Sequence, residues 1–482
     1  MRDAISLFGD LEDSDVDTMF AIGIERQVIA SSAITREGQV PDALYIVLEG
    51  LLGVRVRSVG PEAIQMLGPG EIVGEIAFLD SMPASATVEA LENSLLLTIP
   101  RVALQKQLAE DPAFAARLYR ALARSLARRM RDATATIAHW LHSASTISAH
   151  GSELWADVDA RLSAFKTLLA DAERQAMTHG DMLPDEMGEQ ILAAFRDFAL
   201  WFNEKVGDAS TTSIEVRQEI GARVQRELLP YMMLAKNGER WYRKPRGYAG
   251  DFLSIEWIYE NHPDGAGRLG RALDRCFLDM FAARAVSNRR ALLAEEIGAT
   301  LADQRGTPAR VLSMACGPAR EIFDVFERLS DPKLLFATLI DIDFEALAFV
   351  ANIRDKRGLK RFIQLENGNL VYVATGRRHL DVPPQDLAYS IGLIDYFDDS
   401  FVIRLLNYVY DVLRPGGRVI LGNFHPRNPS RALMDYVWDW KLIHRDEADM
   451  NRLFEQSKFG GPCDRIRFES ERINLFAIRT KR

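Results

Sequence analysis

The chain has 482 residues, 48% hydrophobic and 26% charged, with 59 Lys and Arg against 68 Asp and Glu for a formal charge of −9. That composition, at a length of two to four domains of roughly 100–200 residues each, excludes a mostly disordered or fibrous protein and disfavours a nucleic-acid coat or a polybasic membrane binder. Three scattered cysteines (Cys276, Cys316, Cys463) with no CxxC exclude a disulfide scaffold and a cysteine zinc cluster, the absence of an HExxH or HxH pair gives a zinc hydrolase little support, and no apolar run reaches membrane-spanning length, so a cytoplasmic protein with no bound metal and no integral membrane segment is expected.

Three zones follow one another. Residues 1–142 open with short β-like runs punctuated by glycine: Leu44–Gly50, Leu51–Val56, Ala86–Ala90 and Ser94–Ile99. Such spacing predicts a sandwich or roll. A long helix is expected over Asp111–Ser143, with an apolar stripe at Phe114, Leu118, Leu122, Leu126, Met130, Ala133, Ile137 and Leu141. An arginine stripe accompanies it at Arg117, Arg120, Arg124, Arg128 and Arg131. Residues 143–300 read as helices, with Trp155, Phe165, Phe195, Phe198 and Trp201 at core-like spacing, and they include the loop Trp241–Asp251 (WYRKPRGYAGD). Residues 301–482 alternate strand-like and helical runs, which predicts a parallel, doubly wound α/β sheet.

The stretch Val73–Val88 (VGEIAFLDSMPASATV) resembles the phosphate-binding cassette of cyclic nucleotide-binding domains, the β-roll of the Crp/Fnr regulators. The resemblance implies that Gly74 makes the tight turn, that Glu75 accepts from a ribose hydroxyl, and that Ser85 lies by the phosphate. The arginine that pairs with the phosphate in that family is Ala84 here, so a charge-assisted partner worth about 1.5–3 kcal/mol is missing. Two readings stay open. The roll binds a cyclic nucleotide weakly, or it has lost nucleotide binding and serves dimerisation or protein contact. The long helix is similar to the dimer helix of those regulators, which implies a homodimer. No helix-turn-helix follows it, so DNA is not an expected partner.

In the last zone, Arg310–Ile322 (RVLSMACGPAREI) reads as strand, tight loop and helix, and a second strand, Leu335–Asp341, ends in an acid. Phe362–Asn369, Asp386–Asp395 and LRPGG before Arg418–Phe424 complete the series. This set resembles the class I S-adenosylmethionine (SAM)-dependent methyltransferases. By position, the resemblance implies that Ala315, Cys316 and Gly317 line the methionine and ribose of SAM. Asp341 takes the ribose, with Asp343 the second candidate, Gly368 and Asn369 meet the adenine, and Ser390 and Gly392 face the sulfonium side. The loop before it offers Arg246 or Arg243 for the carboxylate and Tyr248 against the methyl group. After the fifth strand, GNFHPRNPSR leads into an expected helix bearing Met434, Trp438, Trp440, Leu442 and His444. His425 is the candidate to orient or deprotonate the acceptor. Arg427 and Arg431 are candidates for a carboxylate head group, with Trp440, Trp438 and Met434 for an acyl channel. The whole chain is similar to bacterial proteins described as 3-hydroxypalmitic acid methyl ester biosynthesis proteins, which implies a small, fatty-acid-like acid as acceptor. A regulator that binds SAM without methyl transfer is the alternative.

Overall fold

The structure, a computed structural model, describes residues 11, 13–56, 65–69, 71–80, 82–124, 126–127, 152–304, 306–376 and 378–482. They fall into two compact units. The first holds the described residues before 137 together with Pro245–Tyr248 and Tyr396–Val402; the second holds the rest.

In the first unit, β1 (Ile24–Val28), β8 (Ser94–Pro100), β3 (Ala43–Glu49) and β6 (Ile72–Val73) form one four-stranded sheet in that order. The second sheet runs β2 (Ala33–Thr35), β7 (Thr87–Ala90), β4 (Leu52–Arg55), β5 (Gln65–Leu67). Every pairing is antiparallel. Tyr45, Val47, Leu52, Val73, Val88 and Leu96 form the core of this roll. Of the long apolar stripe, Phe114, Leu118 and Leu122 are buried within this chain, and Arg117 of the arginine stripe is bonded through Nε and Nη2 to Asp15 (2.6 and 2.7 Å). The remainder of that stripe from Met130 onward, with Arg128 and Arg131, lies outside the described residues.

In the second unit, helices Ser152–Thr178, Asp185–Val206 and Ile214–Met232 carry the expected aromatic core. Phe165 stacks on Phe198 (6.0 Å), Phe195 is 6.2 Å from Phe165, and Trp201 is 5.6 Å from Phe198. Helices Lys236–Arg243, Phe252–Glu260, Gly270–Leu278 and Phe281–Asp303 lead to the sheet. That sheet orders its strands β11 (Ile363–Asn367), β10 (Leu335–Asp341), β9 (Ala309–Met314), β12 (Gln385–Ile391), β13 (Leu413–Phe424), β15 (Asn474–Thr480), β14 (Arg465–Phe468). The first five are parallel, as expected. The wholly parallel expectation is corrected at the far edge: β15 is antiparallel to β13 and to β14. A short turn joins β14 to β15, and a short turn can only reverse a strand. Glu469 shapes that turn by accepting from the backbone N–H of Glu471, Ile473 and Asn474 (2.7, 2.7 and 3.0 Å). Strand order reverses between β9 and β12, and in such sheets the ligand crevice opens at the carboxyl ends of the strands flanking the reversal.

A second correction concerns the helix expected after β13. Only a π-helical stretch, Leu433–Val437, forms there, and the chain is irregular from Trp438 to Asp446. The backbone is drawn off the helix because Ile443 N donates to Asp395 O (2.7 Å) and Arg445 N to Phe424 O (3.0 Å). Asp439 takes a left-handed φ of 48° at the departure. Lys244 Nζ fixes this turn by donating to the Asp439 carbonyl (2.8 Å).

Candidate functional site

The loop after β9 has the backbone of a glycine-rich turn with only one glycine in it. Ala315, Gly317 and Ala319 all take positive φ, at 54°, 51° and 48°. An alanine in that region costs about 1–2 kcal/mol, so the loop's shape is held from outside. Asp341, at the tip of β10, does the holding. Its Oδ2 accepts from Gly317 N (2.8 Å) and its Oδ1 from Asp343 N (2.9 Å). Cys316 N donates to Ile340 O (2.9 Å), and Gly368 N to Asp341 O (3.0 Å). The ends of β9, β10 and β11 are thus knotted around Asp341, whose carboxylate ties the β9 loop to the tip of β10 and whose backbone carbonyl takes Gly368 N; the residue is 6% exposed. Burial pushes its pKa up to about 6, against the lowering pull of the Asp343 and Gly317 N–H bonds.

The expected cofactor residues therefore divide. Ala315, Cys316, Gly317, Asp341, Asp343 and Gly368 come together around this knot. Asp343 caps helix Phe344–Lys356, accepting from Glu345 N (2.8 Å), and Asn369 caps Leu370–Ala374, accepting from Val371 N (2.9 Å). Ser390 is 1% exposed and its Oγ donates to Met314 O (2.8 Å), tying β12 to β9 across the reversal. Gly392 follows at φ 74°. Asn367 is a member that the sequence reading passed over; its Nδ2 donates to Ile342 O (2.9 Å) and steadies the same corner. Burial raises the Cys316 thiol well above its usual range, which keeps it a neutral lining group. Arg246 and Tyr248 lie in Pro245–Tyr248, which groups with the first unit, where the Tyr248 ring meets Tyr396 edge-on (6.0 Å, 73°). Arg243 is mostly exposed and pairs with Glu239 (2.9 Å).

His425, at the end of β13, is 7% exposed with both ring nitrogens engaged. Nδ1 accepts from Arg427 N (3.1 Å), which leaves the proton on Nε2, and Nε2 faces Glu447 Oε2 (3.0 Å). Arg427 pairs with the same Glu447 (3.6 Å) and lies over Phe468 (5.5 Å). Arg431 is held by Asp208 (2.5 Å) and Asp435 (3.3 Å). Trp440, Trp438 and Met434 are buried. Trp438 meets Phe277 and Trp241 edge-on (4.9 and 5.3 Å), and Trp440 is 5.5 Å from Trp241.

In the roll, Gly74 turns at φ 89° and Glu75, 3% exposed, heads helix Glu75–Asp80. Ser85 is exposed. Ala84 is pinned on both sides: its N donates to Gln39 O and its O accepts from Gly38 N, each at 2.8 Å.

Comparison with known proteins follows the same division. The profile of the cyclic nucleotide-binding domain matches residues 25–111, and that of a family described as "Putative methyltransferase" matches residues 224–476. The uncharacterized protein YnbC of Escherichia coli is 23% identical over 225 residues, covering 44% of this chain and 37% of YnbC. The cyclic AMP receptor protein of Thermus thermophilus is 33% identical over 129 residues, 26% of this chain and 58% of that protein. The chain thus spans less than two thirds of either relative's length. Among solved structures, a "possible exported protein" from Bordetella parapertussis matches with a TM-score of 0.41 and 19% identity, over 61% of this chain and 96% of that one.

Proposed function

The chain belongs to the family described as "Putative methyltransferase", with a cyclic nucleotide-binding domain ahead of it, and from that premise we propose that it methylates a small, fatty-acid-like carboxylic acid with SAM as donor. The knot on Asp341 is the observation that carries this reading. The Asp341 carboxylate accepts backbone N–H bonds from Gly317, Asp343 and Ile342 and keeps a lone pair to spare, which suits a ribose hydroxyl. Gly317 leaves open room, since a Cβ there would meet nothing nearer than Phe252 Cβ at 4.0 Å. Asp341 would take the ribose, the 315–317 loop the cofactor's chain, and the corner at Gly368 and Asn367 the base. SAM supplies an electrophilic methyl group on a sulfonium. The protein's part is then to align an acceptor at near-attack distance and to exclude water. Calorimetric titration of the full chain with S-adenosylhomocysteine tests the reading: micromolar binding supports it, and no heat at millimolar ligand sinks it.

A carboxylate acceptor is already a nucleophile at neutral pH and asks for no base. His425 fits that, because its lone pair on Nδ1 is occupied by Arg427 N–H. We assign it to positioning: it fastens the Arg427 backbone to Glu447 so that Arg427 presents its guanidinium to the acceptor's carboxylate. His425→Ala should then raise KM for the acceptor about tenfold and leave kcat within threefold at saturation. A base would instead cost 10²–10⁴ in kcat.

For the roll we propose weak cyclic-nucleotide binding. Since the backbone on both sides of position 84 is fixed by hydrogen bonds, a guanidinium placed there has a defined origin. Ala84→Arg should tighten cAMP or cGMP about ten- to a hundredfold, the worth of one charge-assisted bond. Competition against a fluorescent cyclic nucleotide measures it, and an unchanged Kd would argue for a contact module.

A further inference from the structure

The turn between β14 and β15 holds an arginine in a backbone region that favours glycine: Arg472 has a left-handed φ of 59°. Its backbone N donates to Glu469 O (3.0 Å), which closes the turn. β15 runs antiparallel to β13 with Asn474 opposite Phe424, so the turn stands at the carboxyl end of β13, and His425 N donates to Ile473 O (2.7 Å). Arg472 is exposed, and its guanidinium lies over the Phe468 ring at 5.4 Å. The Arg427 guanidinium lies over the same ring at 5.5 Å, and the His425 ring meets it edge-on at 5.8 Å. The carboxylates around this ring are already engaged. Glu447 faces Arg427 and His425 (3.6 and 3.0 Å), and Glu471 holds Arg284 (2.9 Å). Glu469 accepts from three backbone N–H groups of the turn. Among the described residues Arg472 forms no ion pair. Two guanidiniums on one ring repel each other, and Glu447 offsets only one of them. The carboxyl end of β13 is left with one positive charge in surplus, carried on a residue whose backbone is strained to place it there.

We propose that Arg472 is a second acceptor-binding residue, which joins Arg427 in a two-guanidinium clamp on the carboxylate that is to be methylated. The surplus of one charge matches a carboxylate, and the guanidinium fork matches its oxygens. A carboxylate offers about four lone pairs, so two guanidiniums can hold it and leave one free to attack. Phe468, half-buried between the two cations, gives the methylenes next to the carboxylate an apolar surface. His425 and Glu447 fix Arg427 from one side, and the Glu469 turn fixes Arg472 from the other. The clamp rests on the methyl-transfer reading and adds to it a residue that selects an anionic acceptor over a neutral one.

Arg472→Gly in the full chain tests this, because it removes the guanidinium and relieves the turn at once. The acceptor probe is the organic-solvent extract of bacterial cells, titrated by dilution against methyl-labelled SAM, with alkali-released label as the readout. Arg472→Gly should raise the amount of extract needed for the half-maximal rate about tenfold and hold the rate at saturation within threefold. Its unfolding midpoint should stay level or rise, and its affinity for S-adenosylhomocysteine should not change. Arg472→Lys, which keeps the charge without the fork, should recover part of the loss. An unchanged half-maximal amount in Arg472→Gly overturns the clamp and leaves the methyl-transfer reading standing. So does a fall in the midpoint together with weaker S-adenosylhomocysteine binding, which would make Arg472 a prop of the turn. No label moved into the extract by the unaltered protein overturns both.

Discussion

Asp341→Asn should weaken S-adenosylhomocysteine about a hundredfold. Both carboxylate oxygens accept a backbone N–H, from Gly317 and from Asp343. Asparagine has one oxygen, so its Nδ2 must face one of those donors, and the negative charge that strengthens the other bond is gone. Hydrogen bonds to a charged group contribute about 1.5–3 kcal/mol each, and losing one while setting two donors against each other reaches two decades in affinity. An affinity within threefold of the unaltered protein would mean that Asp341 serves the loop alone. The same carboxyl gives a pH dependence. Burial raises it from 3.8 to about 6, so the folded state favours the protonated form. Its contribution to stability is therefore fully present below about pH 4 and is lost as pH rises through about 6. Ligand binding runs the other way, since ribose hydroxyls need the ionised acceptor. One unit below the pKa about one tenth of the carboxyl is ionised, and affinity at pH 5 should be about tenfold lower than at pH 7.5. Asp341→Asn should flatten that dependence.

Trp438→Ala should destabilise the second unit by about 3–5 kcal/mol, the usual cost of emptying a buried aromatic site. Trp438 is 0% exposed and meets Phe277 at 4.9 Å and Trp241 at 5.3 Å. The three rings join helices Lys236–Arg243 and Gly270–Leu278 to the irregular segment after the π-turn. No regular hydrogen-bond ladder holds that segment, so the cavity has little to collapse onto. Differential scanning calorimetry should show the unfolding midpoint falling by roughly 10 °C. A shift below 2 °C would mean that the rings are exchangeable filler. Trp440→Ala, at the edge of the cluster with 8% exposure, should cost less.

The sequence disclosed those parts of the molecule that local rules govern. Gly74 and Glu75 announced a cassette turn because a positive φ before a helix start has few residue solutions. The run from Ala315 to Asp341 was legible because a loop feeding a helix and an acid at the next strand end recur at fixed spacing. The antiparallel hairpin was not, since Arg465–Phe468 is only four residues long with two arginines among them, and the turn depends on one glutamate side chain. The burial of Arg289 escaped for a related reason. A charged residue in a helix such as SNRRALLAEE reads as a solvated face, and only the fold brings it against Gly392 over a hundred positions away. The helix expected through His444 failed because tertiary hydrogen bonds to Asp395 and Phe424 outweighed local propensity. His425 was legible as a residue of interest, but what engages each of its nitrogens is a matter of partners that composition does not reveal.

Methyl transfer to a carboxylic acid is most directly tested by incubating the full chain with methyl-labelled SAM and a fractionated bacterial extract, with Asp341→Asn as control. Label is expected in the organic fraction, released by mild alkali as a methyl ester yields it, and absent with Asp341→Asn. Alkali-stable label, label confined to protein or RNA, or SAM bound with no label moved into any fraction would contradict it.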